Sequence, residues 1–441
     1  MLEQLIAGFR ERSLPELTPR TIRFSPVKKM ASVIIGMRRS GKTCLLFQEI
    51  RRLIDSGVDP GHILYLNFED DRLQPLESGI LDRVLEAFFR INPGARSGKS
   101  YLFFDEIQIV DGWSRFARRV LDTEETNLYI TGSSARMLST EVATEFRGRG
   151  YSVEVLPFSF SEALLHRGIQ IPQSTPGPRL RSKLEAAFDE YLRIGGFPDV
   201  QFLEESQRIQ VLQDYVELVL LRDIIERHEV RNMHAVRYFS LALLQSSGTL
   251  VSVNKQANYL KTLGIAVGKD TLYSLLDFFI DAFLLFTVPK FHRSLRVRES
   301  NPRKIYAVDP GLAFAVMPAV ASNLGARLET AVYLELRRRL PTRREGMISY
   351  YVTEAGHEVD FVVGDTVHGG ATELIQVCAD ISGQEVLNRE LRALSEAMVE
   401  LGLTESLIIT NRFRESIPVE GGIVSFVPAW NWMLCNNWGR R

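Results

Sequence analysis

The chain is poor in cysteine, with only Cys44, Cys378 and Cys435 among its 441 residues. Their odd number and wide separation exclude a disulfide framework and show no metal-ligand spacing, so a reduced, cytoplasmic protein is expected. A long uncharged apolar run is also missing. The most membrane-like stretch, "TLYSLLDFFIDAFLLFTVP", contains Asp277 and Asp281, each costing about 2.5–3.5 kcal/mol at a bilayer centre. It reads as a buried helix followed by a strand, with no membrane contact. The first residues, "MLEQLIAGFRERSLPEL", carry acids and lack a signal peptide's apolar core. Net charge is close to nil at −1, so any nucleic-acid contact must come from a local basic patch. The sequence shows no internal repeat and no extended low-complexity segment.

What is there is ordinary for a globular chain: 45% hydrophobic and 24% charged residues, in a length that suggests two to four domains. Through the first 160 residues, β-rich runs ("ASVIIG", "ILYLNF", "YLFFDE", "NLYITG", "YSVEVLPF") alternate with helical ones ("KTCLLFQEIRRLIDSG", "ILDRVLEAFFRI", "WSRFARRVLD"). That alternation predicts a parallel sheet flanked by helices. A proline-rich break, "IQIPQSTPGPRL", precedes a helical region interrupted by "GGFP", then short helices, then mixed α/β character to the end.

The segment "GMRRSGKT", Gly36 to Thr43, fits G-x-x-x-x-G-K-S/T between a predicted strand and a predicted helix. Its glycines let backbone N–H groups turn toward phosphates at a helix N-terminus whose dipole favours anions. The loop residues Gly36, Arg39, Ser40, Gly41, Lys42, Thr43 and Cys44 are the expected nucleotide contacts. Lys42 would reach the β- and γ-phosphates and Thr43 would hold Mg²⁺. Downstream, "YLFFDEIQ" is an apolar strand ending in two acids. Asp105 would share the Mg²⁺, and Glu106 would orient or deprotonate the attacking water. The next strand, "NLYITGSS", ends in Thr131, Ser133 and Ser134, one of whose hydroxyls, taken as Ser133, would sense the terminal phosphate.

In order, "GMRRSGKT", "ILYLNFEDDRL", "FFDEIQIVDGW", "YITGSSARML", "FRGRG" and "LPFSFSEAL" resemble the uncharacterised prokaryotic AAA-type ATPases, P-loop proteins with a C-terminal domain of unknown function. The resemblance, rather than the spacing, implies that the nucleotide is ATP. It also implies an arginine that completes a neighbouring copy's site. "EFRGRG" offers Arg147 and Arg149; Arg149 is favoured, against a surface arginine paired to a local acid. "GGFP" resembles the Gly-x-Pro signature of helical lids in signalling NTPases, which implies Pro198 near the adenine, although a tight turn needs the same residues.

Further along, "SVNKQANYLKTLGIAVGKDTLYSLLDFF" reads as a helix-turn-helix turning at Gly264. Ala257, Leu260, Leu263, Ile265, Leu272 and Leu276 would form its seam, and Lys269, Asp270, Thr271 and Tyr273 would face bases. The following "AFLLFTVPKFHRSLRVRES" reads as a strand and wing carrying Lys290, Arg293, Arg296 and Arg298. A module that only docks the ATPase to a neighbour needs no such contacts, and Asp270 speaks for it.

In the last region, Glu329 on a helix, Asp360 in "HEVDFVVG" and the strand "TELIQVCAD" resemble the PD-(D/E)xK nuclease fold. Gln376 and Cys378 stand where that pattern has an acid and a lysine, so the fold is expected without efficient catalysis, with Glu354 and Glu358 as acids that would compensate. "RKIYAVDPGLAF" predicts a strand-to-helix turn at Asp309 and Gly311.

The expected architecture is therefore α/β: a P-loop AAA-type core (1–168), a helical lid (181–230), a winged-helix module (231–300) and a nuclease-like α/β domain (301–441). The expected activity is ATP hydrolysis that controls a DNA- or partner-binding C-terminal half. Expected partners are ATP with Mg²⁺, double-stranded DNA through residues 252–300, a protein and a second copy of the chain. The alternatives are a slow-turnover signalling scaffold and an ATP-dependent nuclease.

Overall fold

The computed structural model describes residues 1–25, 27–133, 148–316, 324–340, 347–366 and 370–435. Ser134 and Arg147 lie outside the described residues. The chain divides into two compact units, Met1–Leu156 with Asp281–Phe283, and Pro157–Ile280 with Leu284–Arg441.

In the first unit, β1 (Ala31–Ile35), β2 (Ile63–Asn67), β3 (Ser100–Asp105), β4 (Thr126–Gly132) and β5 (Gly150–Glu154) form a sheet in the order β2-β3-β4-β1-β5, parallel at every pairing. The connecting helices are α2 (Lys42–Asp55), α3 (Ile80–Ile91), α4 (Pro93–Ser97) and α5 (Trp113–Thr123), with α1 (Leu2–Glu11) preceding them. Every residue of "ASVII" in β1 is buried, as an interior parallel strand covered on both faces requires. The helix α2 packs Leu45, Leu46, Ile50 and Leu53 against Phe103, Tyr129 and Val153. Glu49 on that buried face is not left unpartnered: Arg52 pairs with it at 2.7 Å and the Tyr129 hydroxyl donates to it at 3.2 Å.

The second unit begins with α6 (Phe160–His166), opened by a capping box in which Ser159 and Glu162 satisfy each other's backbone N–H. Next come α7 (Pro178–Ile194) and α8 (Glu205–Val219). Helix α7 starts three residues before the expected boundary because proline is tolerated in a first turn. Then α9 (Met233–Gln245), β6 (Thr249–Val251), α10 (Val253–Thr262), α11 (Lys269–Asp281), β7 (Leu285–Val288), α12 (Leu295–Ser300) and β8 (Arg303–Ala307) follow, with an antiparallel sheet ordered β6-β8-β7. The turn at Gly264 matches the sequence reading, and α11 starts at Lys269; Leu263 of the expected seam is 46% exposed. The basic run after β7 is not a wing strand. It forms α12, and the strand that returns to the sheet is β8, beyond residue 300. Arg298 is buried and donates to Thr366 at 2.8 Å, so it leaves the expected phosphate strip, whereas Arg293 and Arg296 are exposed.

After α13 (Pro310–Val316) and α14 (Leu324–Arg339), β9 (Ile348–Val352), β10 (Glu358–Asp365), β11 (Gly370–Cys378), α15 (Gln384–Leu401), β12 (Glu405–Thr410), β13 (Glu415–Val419), β14 (Gly422–Pro428) and α16 (Ala429–Leu434) complete the chain. Their six strands make a mixed sheet ordered β13-β14-β12-β11-β10-β9. Helix α15 covers one face with Ala393, Leu394, Ala397 and Met398.

One buried crossing ties this unit together. A Cβ on Gly196 would come 2.2 Å from the Phe158 carbonyl, so only glycine allows the approach. The Gly196 N–H donates to Asp309 at 2.5 Å, the Leu312 N–H to the same carboxylate at 2.9 Å, and the Tyr191 hydroxyl to the Phe158 carbonyl at 2.9 Å. Burial raises the Asp309 carboxyl to about 6, against the pull of those backbone donors. Asp309→Ala should strand two buried N–H groups and cost about 2–4 kcal/mol in urea unfolding. A raised carboxyl stabilises the fold most below its unfolded value and loses that contribution as pH rises through about 6. The penalty of the substitution should therefore shrink between pH 4 and 7.

Candidate functional site

The loop between β1 and α2 is set by backbone geometry. Gly36 has φ +151° and a Cβ there would lie 2.2 Å from the Val155 carbonyl; Gly41, with φ +98°, immediately precedes α2. Arg39 holds a left-handed φ of +67° and is exposed, while Ser40 is fully buried. Lys42 is 5% exposed, and its ammonium donates to the Gly36 and Met37 carbonyls at 3.1 and 3.3 Å, lying 3.7 Å from Glu106. Cys44 is exposed on α2.

Across from the loop, β3 delivers Asp105, which has no exposed surface. The Thr43 hydroxyl donates to its Oδ2 at 2.7 Å, the Tyr65 hydroxyl to the same oxygen at 3.0 Å, and Thr131 to Oδ1 at 2.5 Å. Burial pushes the Asp105 carboxyl above its ordinary range, Glu106 beside it adds to the push, and the three hydroxyls oppose it. Glu106 takes a left-handed φ of +52°; its N–H donates to Thr131 at 2.8 Å and its carboxylate accepts from Gln108 at 2.5 Å. All three side-chain donors on Asp105 are neutral. A hydroxyl and a carboxylate in contact, with that charge not offset by a cationic donor, fit a hard cation such as Mg²⁺. Thr43 and Asp105 are the residues that would hold it.

Residues 28–164 match the family model described as AAA domain, residues 185–325 the Domain of unknown function (DUF8612) and residues 324–432 the Domain of unknown function (DUF4143). An uncharacterized protein of Methanocaldococcus jannaschii is 32% identical over 422 residues, covering 94% of this chain and 90% of its own. The chain belongs to that family of AAA-domain proteins. A relative in Haemophilus influenzae, also uncharacterized, is 28% identical over 400 residues, covering 90% and 93% of the two chains. Among solved structures, the Aeropyrum pernix ORC1 protein in complex with DNA covers 73% of this chain and 90% of its own at 14% identity and a TM-score of 0.28. The Pyrobaculum aerophilum Cdc6p covers 66% and 87% at 12% identity and a TM-score of 0.25. Scores of that size are too low to argue from. No helix among the described residues is long and apolar enough to cross a membrane.

The AAA-domain protein thus brings Lys42, Thr43, Asp105 and Glu106 together. Thr131 is committed to Asp105 and the Glu106 backbone, while Ser133 is buried at the same strand end. Arg149 lies elsewhere: it precedes β5, its carbonyl accepts from Ala31 at the start of β1, and its guanidinium pairs with Asp122. That is the local-acid contact weighed against a finger role. Pro198 belongs to the second unit and opens the short turn after the Gly196 crossing. Arg20 escaped the sequence reading. It is 8% exposed, and its guanidinium donates to the Ser40 carbonyl at 3.2 Å and to the Leu156 carbonyl.

The C-terminal acids also meet, but around an ammonium. Lys304 on β8 is 2% exposed and lies 3.0 Å from Glu329, 2.8 Å from Glu358 and 2.8 Å from Asp360. Burial lowers its pKa, and the three carboxylates more than reverse this, so the amine is held charged. Burial, then Asp360, raises the Glu329 carboxyl. Gln376 accepts from the Asp360 N–H at 3.0 Å and donates to Glu390 at 2.6 Å, a role that a carboxylate at 376 would not fill. Burial lifts the Cys378 thiol to about 11. Glu354 stays outside the cluster, its N–H donating to Glu400. Strand alternation sets Lys304 and Tyr306 on one face, and the Tyr306 hydroxyl donates to Glu329 at 2.7 Å. Lys304→Met should cost about 3–5 kcal/mol in urea unfolding at pH 7, because it leaves buried carboxylates without their cation. Adding Glu329→Gln and Asp360→Asn should recover part of the loss.

Proposed function

We propose that this AAA-domain protein hydrolyses ATP and that its nucleotide state controls a DNA-binding C-terminal half. The contact that carries the reading is the Thr43 hydroxyl on the Asp105 carboxylate, with the Lys42 ammonium beside Glu106. On this reading Gly36, Arg39, Ser40, Gly41 and Cys44 line the phosphates, and Lys42 exchanges its loop carbonyls for phosphate oxygens. Glu106, steadied by Gln108 and Thr131, orients the attacking water. Magnesium, when bound, neutralises phosphate charge. Ser133 would report the terminal phosphate. Arg149 would act on the site of a neighbouring copy, which makes turnover depend on a homo-oligomer, and Pro198 would reach the adenine. Lys42→Ala should abolish ATP binding in calorimetry, and Glu106→Gln should keep binding while turnover falls at least about a hundredfold. Equal hydrolysis by both variants would refute the assignment.

For the C-terminal half, the helix pair α10–α11 with the β6-β8-β7 sheet is read as a winged helix. Lys255, Lys261, Lys269, Arg293 and Arg296 are exposed and would meet DNA phosphates. If so, log affinity should fall linearly with log salt, and removing Arg293 and Arg296 together should lessen the slope by about 2. The scaffold reading has its own support: Asp270 and Asp277 are also exposed on α11, where they would repel phosphate. No gel shift at low salt, with or without ATP, would favour it. A nuclease is disfavoured because Lys304 already neutralises the acids that a metal would need.

A further inference from the structure

We propose that Tyr65 is a positioning residue for Asp105, and that α1 sets it through Phe9. The proposal rests on the nucleotide-and-magnesium reading above. Tyr65 lies on β2, in register with Phe103, two residues before Asn67 pairs with Asp105 itself. Its hydroxyl and that of Thr43 share Oδ2, while Thr131 holds Oδ1. Three donors from three elements therefore fix the plane of one carboxylate. Thr43 is the donor that a bound cation recruits, and when it turns away Tyr65 is the side chain left on Oδ2 to hold the carboxylate in place.

The ring is clamped. Phe9 of α1 stacks on it with centroids 4.5 Å apart and planes 29° from parallel, and Phe47 of α2 packs at 5.0 Å. Phe47 belongs to α2, the helix that follows the phosphate loop, so Tyr65 is braced by the element that carries Thr43. Phe9 also packs against Phe47 at 6.0 Å, so a shift of α1 would reach Asp105 through these ring contacts.

Tyr65→Phe keeps the ring and deletes only the hydroxyl. The full chain would be titrated with Mn²⁺, read by electron paramagnetic resonance, at saturating ATP, and separately with ATP in EDTA. We expect the Mn²⁺ concentration for half-saturation to rise about tenfold in Tyr65→Phe. It should rise in the same direction in Phe9→Leu, with metal-free ATP affinity within about twofold of wild type in both. A Mn²⁺ midpoint unchanged in Tyr65→Phe, with wild type showing metal-dependent ATP binding, would overturn the proposal while leaving the nucleotide reading intact. A wild type that binds ATP equally with and without metal would overturn both. Melting curves of each variant separate a lost position from a lost fold, because a purely structural role lowers the midpoint and leaves the metal titration in place.

Discussion

A carboxylate with no access to water and only neutral hydroxyls for side-chain donors governs the first unit. Asp105 sits at the end of a strand because the sheet is parallel, and parallel strands bring their C-terminal ends to one edge. There it meets Thr43, the second residue of the helix that follows β1. The charge is held by geometry rather than by a counter-ion, so the site has an electrostatic deficit that a small hard cation would relieve. Gly36, Gly41 and Arg20 shape or steady the loop that faces this deficit. Glu106 adds a second carboxylate beside it and accepts from Gln108.

The second unit solves the same problem in the opposite way. Its buried acids are satisfied from within, by Lys304 around Glu329, Glu358 and Asp360 and by backbone N–H groups around Asp309. An ammonium sits at the centre of three carboxylates, and Gln376 adds amide bonds where an acid would add repulsion. One half of the chain buries a carboxylate with only hydroxyl side-chain donors, and the other closes its charges on itself.

What was legible in the sequence was local. The loop spacing, the acid-tipped strand and the strand–helix alternation are each read within a short window, and the alternation implies a parallel sheet without giving its strand order. The turn at Gly264 was visible for the same reason. What was not legible depended on distant partners. Tyr65 is 40 residues from the carboxylate it contacts, Lys304 is 56 from Asp360, and Asp309 is 113 from Gly196. A tyrosine or lysine in an apolar strand signals that a partner exists, but only the folded chain says which. The basic run after β7 misled because six residues with alternating arginines suit a wing as well as a short helix.

The crossing at Gly196 has a consequence for how the protein is made. Phe158 belongs to the segment that matches the AAA domain, yet its carbonyl is capped by Tyr191, its N–H is taken by Gly196, and Arg338 donates to Pro157 beside it. Those partners lie in the segments that match the two domains of unknown function. A nascent chain cannot finish this knot of contacts until residue 338 has left the ribosome, so the region after Leu156 completes its folding late in synthesis, and the family boundaries are not places where the polypeptide separates into self-sufficient pieces.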